Sequence, residues 1–528
     1  MTELLTAAQM REIEQAAIKS GQVTGLELME RAGRGVLDAI FDEWPELRGR
    51  GASPSRSLEY LGKDEADALR AVVFCGPGNN GGDGFVVTRI LRELGWQVEV
   101  FLYGDPARLP PDARENYDLL SGEGRPREWS ASEIVNLAPA DLYVDAVFGA
   151  GLTRAPSSEI MDPLAQLYVS GKSFGRMVCI DAPAGLCMDS GRALNEEFGA
   201  VSGFLTVTFH RKRLGHVLSD GPEYCGVTSL VDIGLDSSCE GAVSLLNDWS
   251  DVEIRKSEGG YKYSHGHAFV LTGGAGKTGA ARLAARGALR IGAGLVTLGV
   301  PPTAQLEAAS QITAIMLLHV EDAVGLSEVL RDERLNALCL GPALGLERAR
   351  FLVPAALEAR RPTVLDADAL TAFADDPETL FGILHENCVL TPHGGEFACL
   401  FPDIAEKLRE TPKSGPAFSK VDATRAAAHR AGCVVVHKGP DTVIAAPDGR
   451  CAINLANYER AAPWLATAGS GDVLAGFITG LLARGFAPMQ AAEGAAWLHV
   501  EAARQFGPGL IAEDLPEMLP AVFQKLGI

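Results

Sequence analysis

The chain has 528 residues, with 47 Lys and Arg against 68 Asp and Glu, for a formal net charge of −21. That length exceeds one ordinary core and predicts two or three domains. The acidic balance argues against a nucleic-acid surface, which needs a basic face to neutralise phosphates, but not against a small phosphorylated ligand held by local amides and one or two lysines.

The ten cysteines are scattered singly, without a C-x-x-C pair or a zinc-spaced Cys/His cluster, so reduced thiols are expected. The first residues, Met1 to Thr6, carry no basic-then-apolar signal pattern, and no apolar run approaches the length needed to cross a bilayer. A cytoplasmic protein is expected.

Residues 1–42 read as helix, with Met10, Ile13, Ala17, Leu26, Met29, Gly33 and Leu37 at helical spacing. Residues 45–70 are rich in Gly, Pro, Ser and charge and read as an exposed connection. Short β-branched or aromatic runs follow at 71–75, 98–102, 142–147, 177–181 and 205–209, with helical stretches such as Phe85–Leu94 between most of them. That alternation predicts a parallel sheet covered on both faces. The polar stretch Asp236–Gly260 reads as a linker. A second alternating series has strands at 268–271, 295–298, 363–366, 389–391, 433–437 and 443–446, and two small-residue helices at 279–292 and 473–484. The expected organisation is α/β, with domains over 1–240 and 250–528.

In the first half, Cys75-Gly-Pro-Gly-Asn-Asn-Gly-Gly-Asp-Gly84 follows a strand and opens a helix. Gly76, Gly78 and Gly81 satisfy the G-x-G-x-x-G fingerprint, and Asp105 stands where a ribose-binding acid would be, so a dehydrogenase is a legitimate reading. Asn79, Asn80 and Asp83 are polar extras that such a turn does not need; carboxamides and carboxylates suit a hard cation or a sugar-phosphate. Asp145 and Asp181 end further strands. As bland alternatives, such acids only cap loops.

In the second half, Thr467-Ala-Gly-Ser-Gly-Asp-Val473 feeds a glycine turn into an apolar helix. The N–H groups of Gly469, Ser470 and Gly471, aided by the helix dipole, make an anion cradle. A carboxylate beside a phosphate site is costly unless it has a task, and for Asp472 the evident task is taking a proton from an attacking hydroxyl. Standing alone, Asp472 is equally well an ordinary first-turn acid. His437-Lys-Gly-Pro-Asp-Thr442, Thr391-Pro-His-Gly-Gly-Glu396 and Asp366-Ala-Asp368 end other strands, where α/β sheets place ligands. Lys438 and Thr442 would hold a nucleotide phosphate. His393 is a candidate ligand contact or a local turn; Glu396 is a magnesium ligand, a water ligand or a cap. Gly273-Gly-Ala-Gly-Lys-Thr278 imitates the tail of a phosphate-binding P-loop, but Leu271 stands where that loop needs glycine, so a substrate-side turn is the preferred reading.

Over about residues 255–525, these motifs, with Gly279-Ala-Ala-Arg282 and Gly341-Pro-Ala-Leu-Gly345, resemble the ADP- or ATP-dependent NAD(P)H-hydrate dehydratases of ribokinase-like fold. The resemblance implies that Asp472 is the general base, and that Lys438, Gly439, Pro440, Asp441, Thr442, Gly469, Ser470 and Gly471 line the nucleotide site. Ala281, Gly345 and His393 would contact the hydrate. ADP is the nucleotide expected, with Mg2+. Residues 1–235 resemble the NAD(P)H-hydrate epimerases, from Leu28-Met-Glu-Arg-Ala-Gly33 to Tyr224-Cys-Gly226, which implies a Rossmann-like three-layer domain. By that resemblance Asn79, Asn80, Gly81, Gly82, Asp83, Gly149, Ala150, Gly151, Leu152, Thr153, Arg154, Ala155 and Asp181 hold the hydrate, with Asp181 the acid/base. Asn80, Asp145 and position 184 would bind K+. The family's D-x-P-S-G has serine where this chain has Ala184, so either the backbone carbonyl suffices there or the ion is held more weakly. Small-molecule ligands, no nucleic acid or membrane, and a homo-oligomer are expected. The alternative is a ribokinase-like small-molecule kinase with a non-catalytic N-terminal binding domain.

Overall fold

The computed structural model describes residues 2–48, 68–120, 124–235, 241–247, 254–256, 259–412 and 415–528. Most of the 45–70 connection and parts of the Asp236–Gly260 stretch lie outside them. The chain divides into two compact units: Glu3–Ala242 with Thr411–Ser419, and Met1–Thr2 with Val243–Glu410 and Lys420–Ile528.

In the first unit seven strands form one parallel sheet: β1 (Arg70–Cys75), β2 (Gln97–Leu102), β3 (Arg127–Glu128), β4 (Leu142–Ala146), β5 (Met177–Ile180), β6 (Leu205–Phe209) and β7 (Val227–Val231). Their order is β3-β2-β1-β4-β5-β6-β7, so the chain reverses direction between β1 and β4, where a doubly wound sheet opens a crevice. The central strands are buried on both faces, which is why they read as continuous apolar runs rather than alternating ones.

The first 42 residues are not one helix. Two helices, α1 (Ala7–Lys19) and α2 (Gly25–Glu43), each start at a capping box, Thr6 with Gln9 and Thr24 with Glu27. The helix expected at Phe85 begins six residues earlier, inside the glycine run, as α3 (Asn79–Glu93). Glycine is a poor helix former, but here it permits close approach: a Cβ on Gly81 would lie 2.1 Å from the Gly76 carbonyl oxygen.

The second unit is built on β8 (Val243–Leu245), β9 (His267–Leu271), β10 (Leu295–Val300), β11 (Met316–His319), β12 (Ala337–Leu340), β13 (Thr363–Leu365), β14 (Cys388–Leu390), β15 (Val434–His437), β16 (Asp441–Ala445) and β17 (Cys451–Leu455). Neighbours run β8-β17-β16-β15-β14-β13-β12-β9-β10-β11. From β11 to β15 every pairing is parallel, and β15, β16 and β17 form an antiparallel meander. The helices α4 (Gly279–Arg290) and α5 (Ser470–Ala483) pack on each other and on this sheet, with α6 (Pro488–Phe506) beside α5. No helix among the described residues is long and apolar enough to cross a membrane.

Candidate active sites

In the second unit, β9, β12, β13, β14 and β15 are parallel, so their carboxyl ends open on one side, and the polar clusters sit there. Thr391, after β14, donates its hydroxyl to Asp366 Oδ1 (2.7 Å), after β13. Lys438, after β15, places Nζ 2.8 Å from the same oxygen and 3.8 Å from Glu396 Oε2. Burial alone would lower the ammonium's pKa, but Asp366 and Glu396 more than offset it and the net shift is upward. Asp368 Oδ2 accepts the Gly345 N–H (2.8 Å), tying the end of β12 to that of β13.

The glycine turn closes the group. Gly469 has φ 88, the left-handed region that glycine adopts freely, and the next residue opens α5. A Cβ on Gly471 would lie 3.4 Å from Lys438 Nζ, so the glycine turn and the ammonium face each other. Asp472, in the first turn of α5, has its carboxyl pushed up to about 7, first by burial and then by Asp366, Asp368 and Glu396, with Lys438 opposing. A carboxylate with a pKa near neutrality is matched to general-base work. His499 of α6 supports the turn: its Nε2 lies 2.9 Å from the Ser470 carbonyl oxygen and 3.2 Å from Ser470 Oγ. Burial lowers that imidazole to about 4, so it is a neutral strut.

Thr442 Oγ1 donates to the Gly439 carbonyl (2.7 Å) and accepts the Gly439 N–H (3.2 Å), which shapes the turn around Pro440. Asp441 is held by the buried Lys420 at 2.6 Å, a partner that sequence reasoning missed. His393 is a helix cap: its Nδ1 accepts the N–H groups of Gly395 and Glu396 at 3.0 and 3.3 Å, while Glu396 Oε2 accepts the His393 N–H at 2.8 Å. Its ring remains 60% exposed. Ala281 is fully buried in the core on α4. His437 is buried and neutral, lowered to about 2 by burial and stacked on Phe397 at 4.1 Å. In the Gly273–Thr278 turn, Glu307 accepts from the Gly276 N–H and the Thr278 hydroxyl.

In the first unit, Asp181 follows β5 with φ 62, a left-handed conformation rare outside glycine. Its Oδ2 accepts the Ala150 N–H (2.8 Å); its Oδ1 takes the Thr208 hydroxyl (3.1 Å) and the buried Arg213 guanidinium (3.4 Å). His216 accepts the Arg213 N–H through Nδ1 (2.9 Å), so Nε2 carries the proton and donates to the Asp181 carbonyl (3.0 Å). Burial brings that imidazole down to about 4. Thr208, Arg213 and His216 come from β6 and the loop after it, and no motif announced them.

Asn79, Asn80, Gly81, Gly82 and Asp83 form the first turns of α3. Burial pushes the Asp83 carboxyl well up, with Asp181 and Glu14 adding to it. Glu14 of α1 is raised likewise, by burial and then Asp181, with Arg213 and Arg11 opposing. A Cβ on Gly149 would lie 3.0 Å from Asp181 Oδ2 and 3.3 Å from Asn80 Oδ1, and one on Gly151 2.9 Å from Arg11 Nη2. Thus α1, α3 and the 149–151 loop converge on Asp181, while Thr153, Arg154 and Ala155 continue that loop on the surface. Asp105 is exposed and caps a turn by accepting the Ala107 N–H, a local task that accounts for it without a ribose.

Among the three expected K+ ligands, Asn80 has a buried carboxamide whose oxygen and nitrogen have no partner. Asp145 is enclosed, each oxygen accepting one backbone N–H, from Val147 (3.1 Å) and Ala184 (2.8 Å); burial raises it to about 6. Ala184 offers a methyl group, and its carbonyl already accepts the Val201 N–H (2.8 Å). Asn80 and Asp145 suit a loosely held cation, and Ala184 adds no side-chain ligand. No cluster of three or more His, Cys, Asp or Glu suits a metal among the described residues.

The second unit is therefore an α/β domain with a glycine turn beside a buried carboxyl raised to about 7, and the first a doubly wound α/β domain with an enclosed acid. Together they define a two-domain enzyme. A family profile described as NAD(P)H-hydrate dehydratase matches residues 268–520, and one described as YjeF-related protein N-terminus matches residues 25–215. The bifunctional NAD(P)H-hydrate repair enzyme Nnr of Moorella thermoacetica is 35% identical over 557 residues, covering 99% of this chain and 97% of that one. The NAD(P)H-hydrate epimerase of Rhodobacter capsulatus is 43% identical over 217 residues, 41% of this chain and 92% of that one. A crystal structure of the ADP/ATP-dependent NAD(P)H-hydrate dehydratase of Bacillus subtilis, co-crystallised with ATP and Mg2+, is similar at 26% identity and a TM-score of 0.42, covering 52% of this chain and 94% of that one. This chain belongs to the family of bifunctional NAD(P)H-hydrate repair enzymes.

Proposed function

We propose that the chain repairs hydrated NADH and NADPH: the first unit interconverts the R and S hydrates, and the second dehydrates the S form at the expense of ADP. The observation that carries this is Asp472, a carboxyl brought to about 7 beside an anion turn and an ammonium. With the terminal phosphate of ADP on the turn and Lys438, Asp472 takes the proton of the hydrate's hydroxyl as its oxygen attacks phosphorus, and AMP leaves. Departure of phosphate from the ring carbon, with loss of a proton from the adjacent carbon, restores the dihydronicotinamide. Lys438 to Thr442 shape the nucleotide side; Gly345 and His393 stand on the hydrate side. Mg2+, when bound, would neutralise charge developing on the phosphates.

In the first unit Asp181 is the acid/base, fixed by Thr208, Arg213 and the Ala150 N–H. Asn80 and Asp145 hold K+, which when bound supplies a fixed positive charge near the substrate. The test is direct: incubate hydrated NADH with ADP, Mg2+ and K+, and follow dihydronicotinamide absorbance together with AMP. Recovery of both in equal amounts supports the reading; no recovery refutes it. A simple small-molecule kinase would release AMP from ADP, if at all, without restoring that absorbance.

A further inference from the structure

One contact on the turn Lys438–Thr442 comes from outside every motif above. Lys420 opens the helix Lys420–Ala431, 18 positions before Lys438, and is only 9% exposed. Both features are costly. Lysine is seldom buried without a partner, and the first turn of a helix, at the positive end of its dipole, is a poor place for a cation. An ammonium placed there needs compensation, and the turn supplies it.

The three protons of Lys420 Nζ meet three acceptors, all on the turn: Asp441 Oδ1 at 2.6 Å, the Asp441 carbonyl at 3.0 Å and the Lys438 carbonyl at 3.4 Å. One charge therefore ties the start of the turn to its end, across Gly439 and Pro440. Gly439 is part of the arrangement. A Cβ there would lie 2.7 Å from Lys420 Nζ and 3.0 Å from Asp441 Oδ1, so glycine is what admits the ammonium. Thr442 bonds Gly439 from within the turn, and the Pro440 carbonyl accepts the Ala456 N–H (2.8 Å), just past β17. Those bonds fix the backbone; Lys420 in addition answers the Asp441 charge.

That charge matters for the ligand. The phosphate chain of ADP is itself negative, and an uncompensated carboxylate in the turn that receives it would repel it. We propose that Lys420 is a positioning residue for ADP: it holds the Lys438–Thr442 turn in shape and cancels Asp441 there, acting through the turn rather than by touching the nucleotide. With its three protons taken and its side chain enclosed, it has none left for a phosphate. The proposal rests on the dehydratase reading of the second unit.

The test uses the full chain with saturating S-hydrated NADH, Mg2+ and varied ADP. Lys420→Met raises KM for ADP at least about tenfold and leaves kcat within about twofold, since Asp472 is untouched and Lys438 stays anchored on Asp366. Adding Asp441→Asn to Lys420→Met brings KM for ADP back to within about threefold of Asp441→Asn alone, because the neutral amide no longer needs the ammonium. Lys420→Gln, which keeps a donor but not the charge, gives a smaller rise and stands in if Lys420→Met does not fold. A packing role alone would lower the unfolding midpoint and leave KM for ADP where it was. An unchanged KM for ADP in either folded single variant, or a double variant no better than Lys420→Met, overturns the proposal while leaving the dehydratase reading intact. A wild-type chain that restores no dihydronicotinamide overturns both.

Discussion

In the proposed dehydration Asp472 is the general base, and its environment makes a signed prediction. A carboxyl raised to about 7 is protonated below that pH, so kcat/KM for dehydration falls about tenfold per pH unit on the acid side of about 7 and levels off above it. Lys438 is the group that holds this pKa down; Lys438→Met therefore moves the midpoint of the pH profile upward, a shift that simple loss of packing would not produce. Asp472→Asn lowers dehydration by about 10²–10⁴-fold while leaving epimerisation unchanged. At the other site, replacing sodium by potassium raises the melting temperature by mass action on the folded state, and Asn80→Ala abolishes that rise. Asp472 and Lys438 were legible because each sits in a short local motif. The partners that tune them were not: Asp366 meets Lys438 across 72 positions of sequence, and Arg213 meets Asp181 across 32, and no local pattern encodes such pairings.

At the scale of elements, α5 opens at the glycine turn, and its placement depends on contact with α4. A Cβ on Gly476 would lie 2.1 Å from the Ala284 carbonyl oxygen, and one on Gly480 2.4 Å from Ile291 Cγ2, so the helices meet through small residues. Gly476→Ala forces them apart. The expected cost is about 1–3 kcal/mol, read from the denaturant midpoint, with a lower dehydration rate as the turn shifts; an unchanged midpoint would contradict this account of the contact. The buried parallel strands were legible because burial on both faces writes a continuous apolar run. Met316–His319 was not: it is an edge strand with three exposed residues and resembles a loop. The start of α3 was hidden for another reason. Its first turns are Asn, Asn, Gly, Gly, which propensity assigns to a loop, and the close approach of Gly81 to Gly76 overrides that preference.

At the scale of the whole molecule, one chain carries two chemistries, each in its own unit. Spontaneous hydration gives both epimers, and an enzyme that consumed only the S form would leave the R form behind. Ala184 makes the first unit the more demanding claim, since the methyl group there supplies no ligand and the carbonyl is already bonded to Val201. The most direct measurement takes an equimolar mixture of R- and S-hydrated NADH with excess ADP, Mg2+ and K+, and follows dihydronicotinamide absorbance to completion. The wild-type chain is expected to convert the whole mixture, and Asp181→Asn to stop near half apart from slow spontaneous epimerisation. A wild-type reaction that itself halts at half would contradict the assignment of epimerisation to the first unit.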